Sequence, residues 1–123
     1  MKADAPKPKP LHWIGSSRSD LRELPKEARR NIGLALHQAA LGDKSLDAKP
    51  LKGFGGAGVL EIVEDYDGDT YRAVYTVKFA ERLYVLHVFQ KKSKKGISTP
   101  KATIDLIRKR LKLAEEDFKG VTK

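Results

Sequence analysis

Apolar residues change their spacing twice along this chain, and each change marks a change of secondary structure. Ala28, Ile32, Ala35, Leu36 and Ala39 recur three and four apart, which is one face of a helix. Pro25 suits the first turn of that helix, Leu41 is its last residue and Gly42 its stop. A shorter helix, capped by Ser17 or Ser19 and ending at Leu24, precedes it. Residues 11–16, with Trp13 and Ile14, read as a first strand. Residues 43–58 hold Pro50 and Gly53, Gly55, Gly56 and Gly58, and read as a loop. Then come three runs rich in Val, Tyr, Phe and Leu, at 59–65, 70–79 and 83–93. Asp67-Gly68 between the first two suits a type I′ hairpin turn, and residues 80–82 make a second tight connection. Three strands so close in sequence form an antiparallel meander. Helical spacing returns after Thr99-Pro100 with Ile104, Ile107, Leu111, Ala114 and Phe118. The order is β-α-α-β-β-β-α, an α+β fold. Its twisted, mainly antiparallel sheet carries two N-terminal helices and a C-terminal one.

The hairpin turn sets a register. Tyr66 opposite Asp69 places Arg72 opposite Val63 and Val74 opposite Glu61, all four on one face. Tyr71, Ala73, Tyr75, Val77 and Phe79 fall on the other, which is apolar enough to be the core against the helices. Arg72 is thus expected to point away from the core, so that its removal spares the fold. It is either a surface arginine paired with Glu61 or Glu64, or a fixed guanidinium for a phosphate.

Charge sharpens this picture. The 123 residues carry a net charge of +9, which implies a polyanionic partner. From Arg72 to Lys101 there are eight basic residues (Arg72, Lys78, Arg82, Lys91, Lys92, Lys94, Lys95, Lys101) against the single acid Glu81. The third strand of the meander runs back beside the second, so Lys91, Lys92, Lys94 and Lys95 return towards Arg72. A one-residue slip exchanges Lys91 for Lys92 on the functional face. Among the three histidines His87 alone lies in the meander, whereas nothing near His12 or His37 suggests a role.

Other chemistry is excluded or unsupported. There is no cysteine, hence no disulfide or thiolate site, and the histidines show no metal-ligand spacing. The glycine-rich loop lacks the Gly-Lys-Ser/Thr of a P-loop and precedes a strand, unlike a dinucleotide fingerprint. Residues 1–10 carry three lysines and three prolines but no apolar run. They read as a disordered basic tail, neither signal peptide nor membrane anchor. The expected organisation is that tail, one domain over 11–118 and a flexible end at 119–123, in a cytoplasmic protein without metal or cofactor.

Several local patterns occur together and in order: Trp13; Asp20-Leu21-x-x-Leu24-Pro25; Ile32-Gly33-x-Ala35-Leu36; Lys49-Pro50-Leu51-Lys52-Gly53; Tyr71-Arg72-x-Val74-Tyr75; Leu86-His87-x-Phe89-x-Lys91-Lys92-Ser93; Thr99-Pro100. The series resembles the phage-derived HigB-like branch of the RelE/ParE toxin superfamily. That resemblance implies the same α+β arrangement and a metal-free endoribonuclease that cuts mRNA in the ribosomal A site. The ribose 2′-hydroxyl attacks the adjacent phosphate, leaving a 2′,3′-cyclic phosphate. It further implies that Arg72 holds the scissile phosphate, and that Lys91 or Lys92 stabilises the transition state or assists the leaving group. His87 would act as general base or acid, and Lys52, Lys78, Lys94 and Lys95 would bind RNA. The partner implied is a helix-turn-helix, HigA-like antitoxin. Two departures stand out. Glu61 and Val63 occupy positions that are lysines in RelE, and the C-terminal tyrosine of RelE has no counterpart after Ser98. Glu61 is therefore either a base or the ion-pair partner of Arg72. The alternatives are a ParE-like inhibitor of DNA gyrase and an inactive nucleic-acid-binding prophage remnant.

Overall fold

A computed structural model of the chain describes residues 7–43, 48–56, 58–91 and 100–122, with side chains through residue 120. Its elements are β1 (Leu11–Trp13), α1 (Ser17–Arg22), α2 (Lys26–Ala40), β2 (Ala48–Pro50), β3 (Val59–Tyr66), β4 (Asp69–Thr76), β5 (Leu83–Lys91) and α3 (Lys101–Thr122). They build one five-stranded sheet in the order β1-β5-β4-β3-β2, antiparallel except for the parallel β1–β5 pair.

Asp67 and Gly68 both take positive φ (52° and 84°), as a type I′ turn demands, and the β3–β4 register follows the expected pairing throughout. β2 departs from expectation, because it lies inside the segment read as loop. Lysine and proline are poor strand formers, and Pro50, without an amide proton, is tolerated because β2 is an edge.

Apolar residues pack on both faces of the sheet. Ile62, Tyr71, Ala73, Tyr75, Val85 and Val88 meet Leu21, Ile32, Leu36 and Ala39 of α1 and α2. On the opposite face Val74, Tyr84 and Leu86 meet Ile107, Leu111 and Ala114 of α3. The expectation of a single core on the Tyr75 face is thereby corrected: α3 covers the face that Arg72 shares. Strand alternation ends at Thr76, so Val77 is exposed and Phe79 joins the α3 cluster instead of the α2 core.

Both ends of the domain also differ from expectation. The amide of Lys9 donates to Ala40 O (2.8 Å) and the amide of Leu83 to Pro10 O (3.1 Å), tying residues assigned to the tail onto the domain. At the other end α3 continues to Thr122, past the boundary expected at 118. Among the described residues no helix is long and apolar enough to cross a membrane.

Candidate functional site

Arg72 sits midway along β4, a central strand, with Val63 directly across on β3 and Phe89 directly across on β5. Glu61 on one side and His87 and Lys91 on the other are its diagonal neighbours on the same face, about 7–8 Å away by strand geometry. Placement of His87 and Lys91 depends on a β-bulge. Thr76 pairs with Tyr84 and Tyr75 with Val85, but Val74 pairs with His87, so Leu86 is the extra residue. Without it His87 would face Ala73, and His87, Phe89 and Lys91 would all turn into the α2 core. The bulge thus places Lys91 on the face of Arg72.

The environment of each group follows from burial. Arg72 Nη1 donates to Glu61 Oε2 at 2.6 Å, with the side chains 11% and 3% exposed. This is a buried, charge-assisted ion pair rather than the outward-facing arginine expected. Arg72 Nε is buried with no hydrogen-bond partner among the described residues, so the guanidinium keeps donors beyond those that Glu61 satisfies. Lys91 is 8% exposed, and its amine has no hydrogen-bond partner among the described residues. Burial lowers its amine pKa, repulsion from Arg72 and Lys49 lowers it further, and Glu61 partly opposes them. His87 stacks on Phe89, with ring centroids 4.7 Å apart and 16° between planes. Burial lowers its pKa, Arg110 adds to that effect, and Asp20 opposes it.

Not every expected residue reaches this cluster. Lys78 lies past the far end of β4, beyond Thr76, which is itself roughly 13 Å along the strand from Arg72. It pairs with Glu115 of α3 at 2.5 Å. Lys52 is exposed beyond β2, near the end where Leu51 N donates to Val59 O. Neither converges on Arg72. Lys92, Lys94 and Lys95 lie outside the described residues. Two basic residues were missed. Lys49 pairs with Glu61 across β2–β3 and faces Lys91 electrostatically; its signal was a lysine beside Pro50 in a segment read as loop. Arg110 of α3 approaches His87; its signal was its position three residues after Ile107 and four before Ala114, on the edge of the buried stripe. Among the described residues no group of three or more His, Cys, Asp or Glu is placed to hold a metal ion.

The fold of this small α+β domain, with an arginine, an imidazole and an amine on one sheet face, is similar to that of a solved toxin structure. It matches a free-state arginine mutant of E. coli toxin RelE at TM-score 0.55 and 17% identity, covering 70% of this chain and 86% of that one. The toxin–antitoxin complex RelBE2 from Mycobacterium tuberculosis is matched at TM-score 0.47 and 20% identity, over 70% of this chain and 94% of that one. No curated protein matches the sequence. Residues 19–112 match the family described as phage derived protein Gp49-like, more than half of the chain, and the chain belongs to that family.

Proposed function

We propose that this protein is the toxin of a type II toxin–antitoxin pair and acts as a ribosome-dependent endoribonuclease on mRNA. The observation that carries this reading is the bulge, which gathers His87, Phe89 and Lys91 onto the face of Arg72. Cleavage by the ribose 2′-hydroxyl requires that a phosphate be held, that charge on the phosphorane be neutralised, and that protons move from the 2′-oxygen and to the 5′-oxygen. Arg72, with donors to spare, holds the phosphate while Glu61 fixes its orientation. Lys91 supplies a buried amine whose lowered pKa brings proton transfer closer to neutral pH. Phe89, directly opposite Arg72, offers a ring for a base to stack on. The proposed setting is the cytoplasm, and the proposed antitoxin is a HigA-like helix-turn-helix protein presenting an acidic segment to this face.

The test is in vitro translation with purified protein, mapping mRNA ends. Cuts within the A-site codon that leave 2′,3′-cyclic phosphates are expected. Intact mRNA together with blocked supercoiling by DNA gyrase would replace this reading with the ParE-like one. Neither effect, with RNA binding retained, would leave an inactive nucleic-acid binder.

A further inference from the structure

The contact between Arg110 and His87 decides more than the orientation of a ring. Arg110 reaches from α3 to the turn before α1 and to β5 at once. Its Nη1 donates to Leu86 O (3.0 Å) and lies 3.2 Å from His87 Nδ1, while Nη2 donates to Ser16 Oγ (3.3 Å). Ser16 Oγ donates in turn to Asp20 Oδ2 (2.7 Å). The site for the guanidinium is shaped by Gly15, where φ is +60° and an added Cβ would lie 2.8 Å from the guanidinium carbon. A guanidinium has only donors and stays protonated, so the nitrogen it meets must be an acceptor. That contact is a hydrogen bond only when His87 Nδ1 is bare and the ring proton is on Nε2.

We infer that Arg110 is a positioning residue that locks His87 as a donor-only imidazole, protonated at Nε2, which offers a hydrogen bond to a phosphate oxygen and does not shuttle protons. This deepens the endoribonuclease reading and rests on it. A neutral imidazole accepts a proton only on its bare nitrogen, which here is Nδ1, occupied by Arg110. Protonating Nδ1 would set two donors against each other beside a fixed positive charge. The groups facing His87 agree: Arg110 from α3 disfavours the imidazolium, Asp20 from α1 favours it more weakly than burial and Arg110 oppose it, β4 presents Val74 across the pair with Arg72 diagonal, and Phe89 stacks on the ring. The general acid or base expected of His87 is thereby reassigned. Proton transfer falls to Lys91, while Glu61 orients Arg72 and His87 adds a fixed N–H for developing phosphorane charge.

Nitrogen-15 NMR of the histidine side chains, assigned with a His87→Gln variant, tests the tautomer without reference to RNA. The Nε2–H form is expected at pH 7, and Arg110→Met should let the Nδ1–H form appear and raise the pKa of His87. An Nδ1–H ring or an imidazolium at pH 7 in the unaltered protein overturns the inference, even if no RNA is ever cut. In the ribosomal assay Gln retains an N–H near the position of Nε2 and cannot shuttle a proton. His87→Gln should keep cleavage within about tenfold of the parent, whereas His87→Leu should lose about a hundredfold or more. Equal loss in both variants would return His87 to proton transfer. Absence of cleavage in every form would refute the enzymatic reading and leave the tautomer result standing.

Discussion

Val74 of β4 faces His87 of β5, although its neighbour Tyr75 faces Val85. That single extra residue, Leu86, converts a strand that would send its histidine and lysine into one core into a strand that sends them to the other face. The bulge also fills space, since Leu86 is fully buried under α3 beside Val74 and Ile107. Local twist, packing of α3 and assembly of the site are consequently one feature.

Arg72→Ala should damage the fold as well as cleavage. It leaves Glu61, only 3% exposed, without its ion-pair partner, which typically costs about 3–5 kcal/mol. Arg72→Met combined with Glu61→Leu should recover most of that stability, because apolar replacement of a buried pair is often neutral, but should not recover cleavage. Urea denaturation and mRNA end mapping on both variants check this. Full stability in Arg72→Ala alone would mean that the pair is solvated.

Tyr75→Ala should destabilise through a cavity with no effect on the chemistry of the folded protein. Tyr75 is 1% exposed in the α2 core, and removal of a buried aromatic ring costs roughly 3–5 kcal/mol. Burial also pushes its hydroxyl pKa up to about 12, so the ultraviolet signature of its phenolate should be missing from a titration to pH 11. Cleavage rate per folded molecule should match the parent.

Stability should rise with pH in two windows. The folded-state pKa of His87 lies below 6.5, so in the window between that value and 6.5 the unfolded chain binds more protons, and stability falls as the pH drops through it. The same sign holds for Lys91, whose folded pKa lies below 10.5: the cost of its buried charge is fully present below that folded pKa and is relieved towards pH 10.5. His87→Gln should flatten the acidic window, and Lys91→Met the alkaline one. Denaturation midpoints across pH read both. Unchanged slopes would place these groups in solvent.

Salt dependence of RNA binding should separate the two groups of lysines. Each phosphate contact on single-stranded RNA contributes about 0.7 to the slope of log affinity against log salt. Lys49→Ala should lower the slope by about that amount, because Lys49 lies beside Glu61 and near Lys91. Lys78→Ala should leave it unchanged, and should alter stability by under about 1 kcal/mol, since its pair with Glu115 is partly solvated. Equal effects at both positions would extend the binding face along the whole sheet.

Periodicity and turn chemistry made much of this protein legible. The Asp67-Gly68 turn dictates the β3–β4 register by local backbone preference alone, so the shared face of Glu61 and Arg72 could be read directly from the chain. Helix spacing likewise identified the buried stripes of α2 and α3. Tertiary structure decided what those stripes cover. That α3 lies over the face that Arg72 shares with Val74 depends on which side of the sheet the chain takes after β5, and apolar spacing is the same for either side. β2 emerged only through its partner, because Ala48-Lys49-Pro50 has no strand preference until β3 offers it an edge. The bulge at Leu86 was invisible for a related reason: Tyr84 to Val88 is nearly all apolar, so alternation carries no parity, and competition between two cores for those side chains sets the register. The nitrogen of His87 that bears the proton was beyond the sequence altogether, since Arg110 is 23 residues away along the chain and only packing of α3 brings the two together.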